Sequence, residues 1–194
     1  RIKLQSSRSA RSAVVQTLLK ALEARDFITE GHGERMQSLA VLLGKELGLG
    51  DAAITTLQLL AKFHDIGKVG VPDRILFKEG RLTQEEYQEM QRHCEIGQRI
   101  ALASPELSSL AELILKHHEW WNGKGYPLGL KGEQIPLECR IIALADAYDA
   151  MTNDRPYRPA MLSNEARAEI IRCSGTQFEP ELAKVFLKLL SDYE

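Results

Sequence analysis

Leu57-Gln58-Leu59-Leu60-Ala61-Lys62-Phe63-His64-Asp65-Ile66-Gly67-Lys68 is the stretch on which the fold turns. Ile54, Leu57, Leu60, Ala61 and Phe63 recur at helical spacing, so an apolar helix ends on His64-Asp65. An imidazole and a carboxylate on adjacent residues reach one metal only where regular helix gives way to irregular backbone. Gly67 is expected to supply that break. Lys68 then stands one step further on, a cation beside a metal-bound oxyanion, which is a better reading than a solvated surface lysine. A lone His-Asp pair is usually an accidental surface dipeptide, and the other histidines decide against that here.

Upstream, Val14, Val15, Leu18, Leu19 and Leu22 give an amphipathic helix ending near Asp26. Met36, Leu39, Ala40, Leu43 and Leu47 form a second apolar stripe closing at Gly48, with His32 and Arg35 one turn ahead of it. Asp51 is expected as N-cap of the helix that delivers His64 and Asp65. Downstream, Pro72-Asp73 opens a short turn, and Thr83 with Glu86 forms a capping box for a helix through Tyr87, Met90 and His93. Leu110 and Ile114 run into His117 and His118, whose imidazoles therefore point inward. Residues 120–136 form a long loop with two Trp, a Tyr and two Leu, too apolar to be disordered and long enough to be functional. The helix from Leu137 is apolar on most sides, so its carboxylates Asp146 and Asp149 lie in a poor solvent and need partners. Ser163 is expected to cap a further helix, and Pro180 opens a last one. Every convincing segment is helical and none alternates with period two. The fold class is all-α, a multi-helix bundle with its metal site between helices.

The 194 residues, 44% hydrophobic and 27% charged, suffice for a large core. A net charge of -2 argues against binding long nucleic acid. Cys94, Cys139 and Cys173 are widely spaced and odd in number, so they read as buried thiols in a reducing cytosol rather than a disulfide framework. No apolar run approaches the roughly 18 residues of a membrane span. The polar, Ser- and Arg-rich opening over residues 1–12 reads as a linker from an upstream domain, leaving 13–194 as the domain proper.

All five histidines, His32, His64, His93, His117 and His118, lie beside a core-facing stripe or at a helix end, with Asp65 and Asp146 also in apolar surroundings. Neutral imidazole and carboxylate are the donors of a metal site. Seven candidate ligands exceed what one ion takes; two divalent ions fit better, and such a pair makes a hydroxide nucleophile and clamps the oxygens at phosphorus. Mixed His and carboxylate ligation without thiolate suits iron or manganese, with zinc and nickel also compatible.

His64-Asp65-Ile66-Gly67-Lys68, His117-His118-Glu119 followed by Asn122-Gly-Lys-Gly-Tyr126-Pro127, Asp146-Ala-Tyr-Asp-Ala-Met-Thr and Arg155-Pro-Tyr-Arg158 together resemble an HD-GYP domain of the HD phosphohydrolase superfamily, the class of bacterial cyclic di-GMP phosphodiesterases. The resemblance covers about residues 13 to 190. It implies that His32, His64 and Asp146 ligate one metal, that His93, His117 and His118 hold a second, and that Asp65 bridges the two. It further implies that Lys68 neutralises the scissile phosphate, that Arg155, Tyr157 and Arg158 grip the other phosphate and a guanine, and that Gly125-Tyr126-Pro127 shapes the pocket mouth. The implied reaction opens cyclic di-GMP to pGpG, and on to GMP in many members, by attack of a metal-bridging hydroxide. The implied partners are an upstream sensory or receiver domain, a GGDEF-domain protein and a second copy of the chain. Another cyclic dinucleotide such as cyclic GMP-AMP, or a non-catalytic receptor or adaptor role for a GGDEF partner, is the alternative. Around the ligands, Arg35, Glu119 and Asp149 are candidate supports: Arg35 as an ion-pair partner or a support for His32, Glu119 as an orienter of a ligand histidine or a helix cap, and Asp149 as an acceptor for a ligand histidine or a partner of an arginine such as Arg155. Asn122 replaces the family's usual Asp and keeps the turn chemistry. Ile28 stands where some members carry a third-metal Glu, so two ions are expected.

Overall fold

Met36, Ala40 and Leu43 on one helix, Leu57, Leu60 and Ala61 on the next, and Ile141, Leu144 and Ala145 on a third are all essentially inaccessible and share one core. Each such fully buried side chain of leucine size contributes about 1.5–3 kcal/mol. The structure, a computed structural model, describes residues 31–154 and 159–192 together with Thr17 and Lys20. Thr17 and Lys20 are helical, and the rest of the expected first helix, Ile28, and the Arg155-Tyr157-Arg158 loop lie outside the described residues.

The described helices are α1 His32–Glu46, α2 Asp51–Phe63, α3 Asp73–Leu76, α4 Gln84–Gln91, α5 His93–Ala103, α6 Ala111–Lys116, α7 Leu137–Thr152, α8 Ser163–Cys173 and α9 Pro180–Asp192. Short 3-10 turns occupy Ile66–Gly70, Ser108–Leu110 and Gly132–Gln134. Among the described residues there is no strand, only the isolated bridges Asn122 to Lys131 and Ser174 to Phe178. Helix α1 packs on α2 and α7, α9 closes over α1 and α7, and α5 packs on α6 and on the turn after α2. The all-α expectation holds. Within it the ends of α2 and α6, the starts of α1 and α5 and the middle of α7 meet at one place.

Several local expectations are corrected. Helix α2 starts at Asp51, with Gly50 as N-cap and no side-chain cap bond, since glycine has no side chain to supply one. Leu162, not Ser163, is the N-cap of α8; the Glu165 carboxylate takes the Leu162 N–H, and Ser163 ties α8 to α7 by a 3.0 Å bond to the Tyr148 hydroxyl. The Thr83–Glu86 capping box is present, but its helix stops at Gln91 and His93 begins the next one. Cys173 is half-buried rather than buried. Gly67 does not break α2 by an unusual backbone angle, since its φ is negative. A Cβ there would stand 1.8 Å from the His93 carbonyl oxygen and 2.5 Å from the Gly97 nitrogen. Gly67 is required for backbone contact between the turn and α5, and that contact brings Asp65 to His93.

Candidate metal centre

The histidines are aimed by hydrogen bonds on the ring nitrogen away from the centre. His64 Nδ1 donates to the Ala61 carbonyl at 2.9 Å, His93 Nδ1 to Met90 at 2.8 Å and His117 Nδ1 to Ile114 at 2.6 Å. In each case the acceptor is the carbonyl three residues back, available because the helix is ending or beginning there. A carbonyl only accepts, so each Nδ1 carries a proton, and in the neutral ring each Nε2 keeps its lone pair for a metal. His32 differs: its Nδ1 meets the Asp149 carboxylate at 2.6 Å, and Asp149 is in turn held by Arg35 Nε at 2.6 Å and by the Asn153 amide at 3.0 Å. Arg35 and Asp149 are thus consecutive supports of His32, and Asp149 satisfies both alternatives for its partner, with Arg35 as the arginine among the described residues.

The Nε2 atoms converge on Asp65. His93 Nε2 is 3.4 Å and His117 Nε2 3.8 Å from Asp65 Oδ1, while His64 Nε2 is 3.2 Å from Asp65 Oδ2. His32 Nε2 lies 3.5 Å from Asp146 Oδ1. Two groups result, Asp65-His93-His117-His118 and His32-His64-Asp146, each with donor atoms all within 4.8 Å of one another. The chemistry of these atoms fits metal. His93 Nε2 and His117 Nε2 face each other at 3.4 Å while both Nδ1 atoms are already spent on carbonyls, and His64 Nε2 and Asp65 Oδ1 are buried without a hydrogen bond among the described residues. Buried acceptors turned toward one another are costly unless a cation lies among them. Lys68 Nζ pairs with Asp65 Oδ2 at 2.8 Å, on the edge of the cluster.

Charge divides the histidines. Burial opposes a charged His64 ring, yet the Asp65 and Asp146 carboxylates outweigh it and push its pKa up to about 9. His93 goes the other way, down to about 4, because burial dominates and the His117 charge adds to it. His118 falls well below the ordinary value through burial and its histidine neighbours. Burial works against the charged Asp65 as well, but Lys68 and His64 hold its carboxyl well below the usual range. The Cys94 sulfur is 3.6 Å from His93 Nε2, and burial pushes its thiol up, so the cysteine stays neutral.

The loop after His118 folds back over the cluster. Gly125 lies so close to the preceding chain that a Cβ would stand 2.2 Å from the Trp120 nitrogen and 2.5 Å from the His118 carbonyl oxygen. This approach lays the Tyr126 ring 4.9 Å from the His118 ring, tilted 34°. Glu119, buried, accepts the N–H groups of Leu128 and Leu130 at 2.7 and 2.8 Å. Both bonds go to the backbone of the loop, and none of the bonds described for Glu119 goes to a ligand histidine. Asn122 Oδ1 accepts the Lys124 N–H at 2.9 Å, the turn expected of Asn or Asp. Backbone bonds from Trp121 to Gln177 and from Asn122 to Thr176 pin the loop to the segment before α9. A pocket bounded by His117, His118, Asp146, Trp120, Ala143 and Gln177 opens beside the cluster. Gln177 carries no sequence signal of function, being a neutral residue in a turn, and only the fold brings it here.

Residues 16–182 match the HD domain family. The chain belongs to the HD-domain family. An HD domain implies a divalent-metal site, and the His and Asp groups described above could hold the metal. The HD domain is 44% identical over 178 residues to a cyclic di-GMP phosphodiesterase of Thermotoga maritima, covering 91% of this chain and 48% of that protein. It is 39% identical over 173 residues to the cyclic di-GMP phosphodiesterase response regulator RpfG of Xanthomonas campestris, covering 88% of this chain and 46% of the relative. The chain thus spans about half the length of these curated relatives. In fold it is similar to the crystal structure of a cyclic GMP-AMP specific phosphodiesterase of V. cholerae, with a TM-score of 0.72 at 23% identity, covering 91% of this chain and 47% of the other. No helix of the described residues is long and apolar enough to cross a membrane.

Proposed function

We propose that this HD domain is a metal-dependent phosphodiesterase that opens cyclic di-GMP to pGpG. The observation that carries the reading is the pair of donor groups meeting at Asp65, seven side chains on five elements with no thiolate among them. His32, His64 and Asp146 would hold one ion, His93, His117 and His118 a second, with Asp65 shared between them. Imidazole and carboxylate donors favour iron or manganese over zinc and nickel. When bound, two such ions supply Lewis-acid charge and an activated water for attack at phosphorus.

The chain's own residues do the rest. Lys68, beside Asp65, offers its ammonium to the charge that develops on the phosphoryl oxygens. The Tyr126 hydroxyl, raised in pKa by burial, is a neutral hydrogen-bond donor at the mouth of the site. Arg155, Tyr157 and Arg158 serve the second phosphate and a base, and water or an acid not assigned among these residues protonates the leaving 3′-oxygen. The two named curated relatives support cyclic di-GMP as the substrate. A non-catalytic receptor is disfavoured because none of the seven candidate ligands is missing.

The test is hydrolysis of cyclic di-GMP by anaerobically prepared protein with Mn or Fe(II), followed by chromatography, with Asp65→Ala alongside. Turnover to pGpG or GMP should fall about 10³-fold in the variant. Full turnover and full metal content in Asp65→Ala would overturn the reading. A metal-loaded wild type that cleaves only cyclic GMP-AMP would replace the substrate and keep the chemistry.

A further inference from the structure

The pocket beside the metal cluster has a composition that ligation does not explain. Besides His117, His118 and Asp146 it is lined by Glu119, Trp120, Ile142, Ala143, Ala147 and Gln177. Ala143 and Ala147 lie one turn apart on α7, flanking Asp146, so that face of the helix is flat. Trp120 lines the same pocket. The volume is about 120 Å³, well under the roughly 300–1,000 Å³ of a site that encloses a whole small molecule. It has room for one ring system, with the remainder of a larger ligand outside. A flat apolar helix face and an indole in one small pocket suit a heterocycle, since every nucleobase has a π-face to stack.

Two polar groups of the lining lie outside the metal-ligand set: Glu119, whose carboxylate is spent on the Leu128 and Leu130 N–H groups, and Gln177. The backbone of Gln177 is spent, the carbonyl accepting the Trp121 N–H at 3.1 Å and the N–H donating to Cys173 at 3.0 Å. Its side-chain amide makes no hydrogen bond among the described residues. An amide offers a donor and an acceptor side by side, the complement of a purine's Watson–Crick edge. The bonds from Trp121 to Gln177 and from Asn122 to Thr176 fix this wall against the loop that carries Trp120.

We propose that this pocket is the subsite for one purine base of the substrate and that Gln177 reads the base's hydrogen-bonding edge. The inference rests on the phosphodiesterase reading above, and it concerns residues outside the metal-ligand set. It places a specificity-determining contact on the segment before α9, far in sequence from the His-Asp motif.

The experiment compares wild type, Gln177→Leu and Ala143→Leu, each metal-loaded, on cyclic di-GMP and on bis(4-nitrophenyl) phosphate, a diester with no nucleobase. Both variants should raise the KM for cyclic di-GMP about tenfold, with kcat changed much less, and the loss of kcat/KM on cyclic di-GMP should exceed that on the baseless diester by about the same factor. Equilibrium titration gives a readout independent of turnover: Gln177→Leu should weaken GMP binding more than binding of ribose 5-phosphate. Equal losses on both diesters, or no change on cyclic di-GMP, would overturn the subsite. A wild type that cleaves the baseless diester but no purine cyclic dinucleotide would overturn the parent reading, and the subsite with it, before any variant is compared.

Discussion

His64 and His32 belong to the same donor group, yet they are aimed by opposite means. His64 rests its Nδ1 on a carbonyl three residues back in its own chain segment, whereas His32 rests on a carboxylate 117 residues away. The first arrangement is built into the end of a helix and no side-chain substitution can remove its acceptor. The second exists only when α1 and α7 pack together, and it adds negative charge that makes His32 a stronger donor. The cluster is therefore rigid on the side of α2, α5 and α6, and dependent on tertiary packing on the side of α1. Loss of metal should begin at the His32 side.

The largest expected break in this symmetry comes from Asp149→Asn. It should weaken the ion at His32, His64 and Asp146 by about 10- to 100-fold while leaving the ion at His93, His117 and His118 within a few-fold, as read by competitive chelator titration. Arg35→Met, which leaves the bond from Asp149 to His32 in place, should have the smaller effect in the same titration. Equal weakening of both ions would show that the two sides do not differ as described.

A smaller effect separates His64 from His93 in the metal-free protein. The folded pKa of His64, about 9, lies above the ordinary 6.5, so its contribution to stability is complete below 6.5 and lost as pH rises through about 9. His93, at about 4, lies below 6.5, so its contribution is complete above 6.5 and lost as pH falls through about 4. Denaturant midpoints in a chelator should therefore peak near pH 6.5. Metal, which requires both rings neutral, should abolish the alkaline decline. An unchanged alkaline limb in the metal-loaded protein would place His64 outside the metal site.

The same contrast explains what could be read before the structure was known. His64, His93, His117 and His118 each adjoin an apolar helical stripe, so their inward direction follows from periodicity, and the motif order supplied the grouping. The partner of Asp149 was legible only as a choice, because Arg35 and Arg155 are both arginines at unknown distance and sequence separation carries no tertiary information. Gly67 was noticed for the wrong reason: a glycine after a helix suggests a break, and only the packed turn shows that its missing Cβ admits the His93 carbonyl. Glu119 was seen as polar beside a ligand, but its direction depends on where the loop returns, which Leu128 and Leu130 decide. Gln177 left no trace at all.

The central claim is that two ions share Asp65 between two sets of histidines. The most direct test is metal content per chain after anaerobic reconstitution and desalting, in wild type, His32→Ala and His118→Ala. The account predicts two ions in wild type and one in each variant, with the ion lost more readily from the His32 side as chelator is raised. One ion in wild type, or two in both variants, would contradict it.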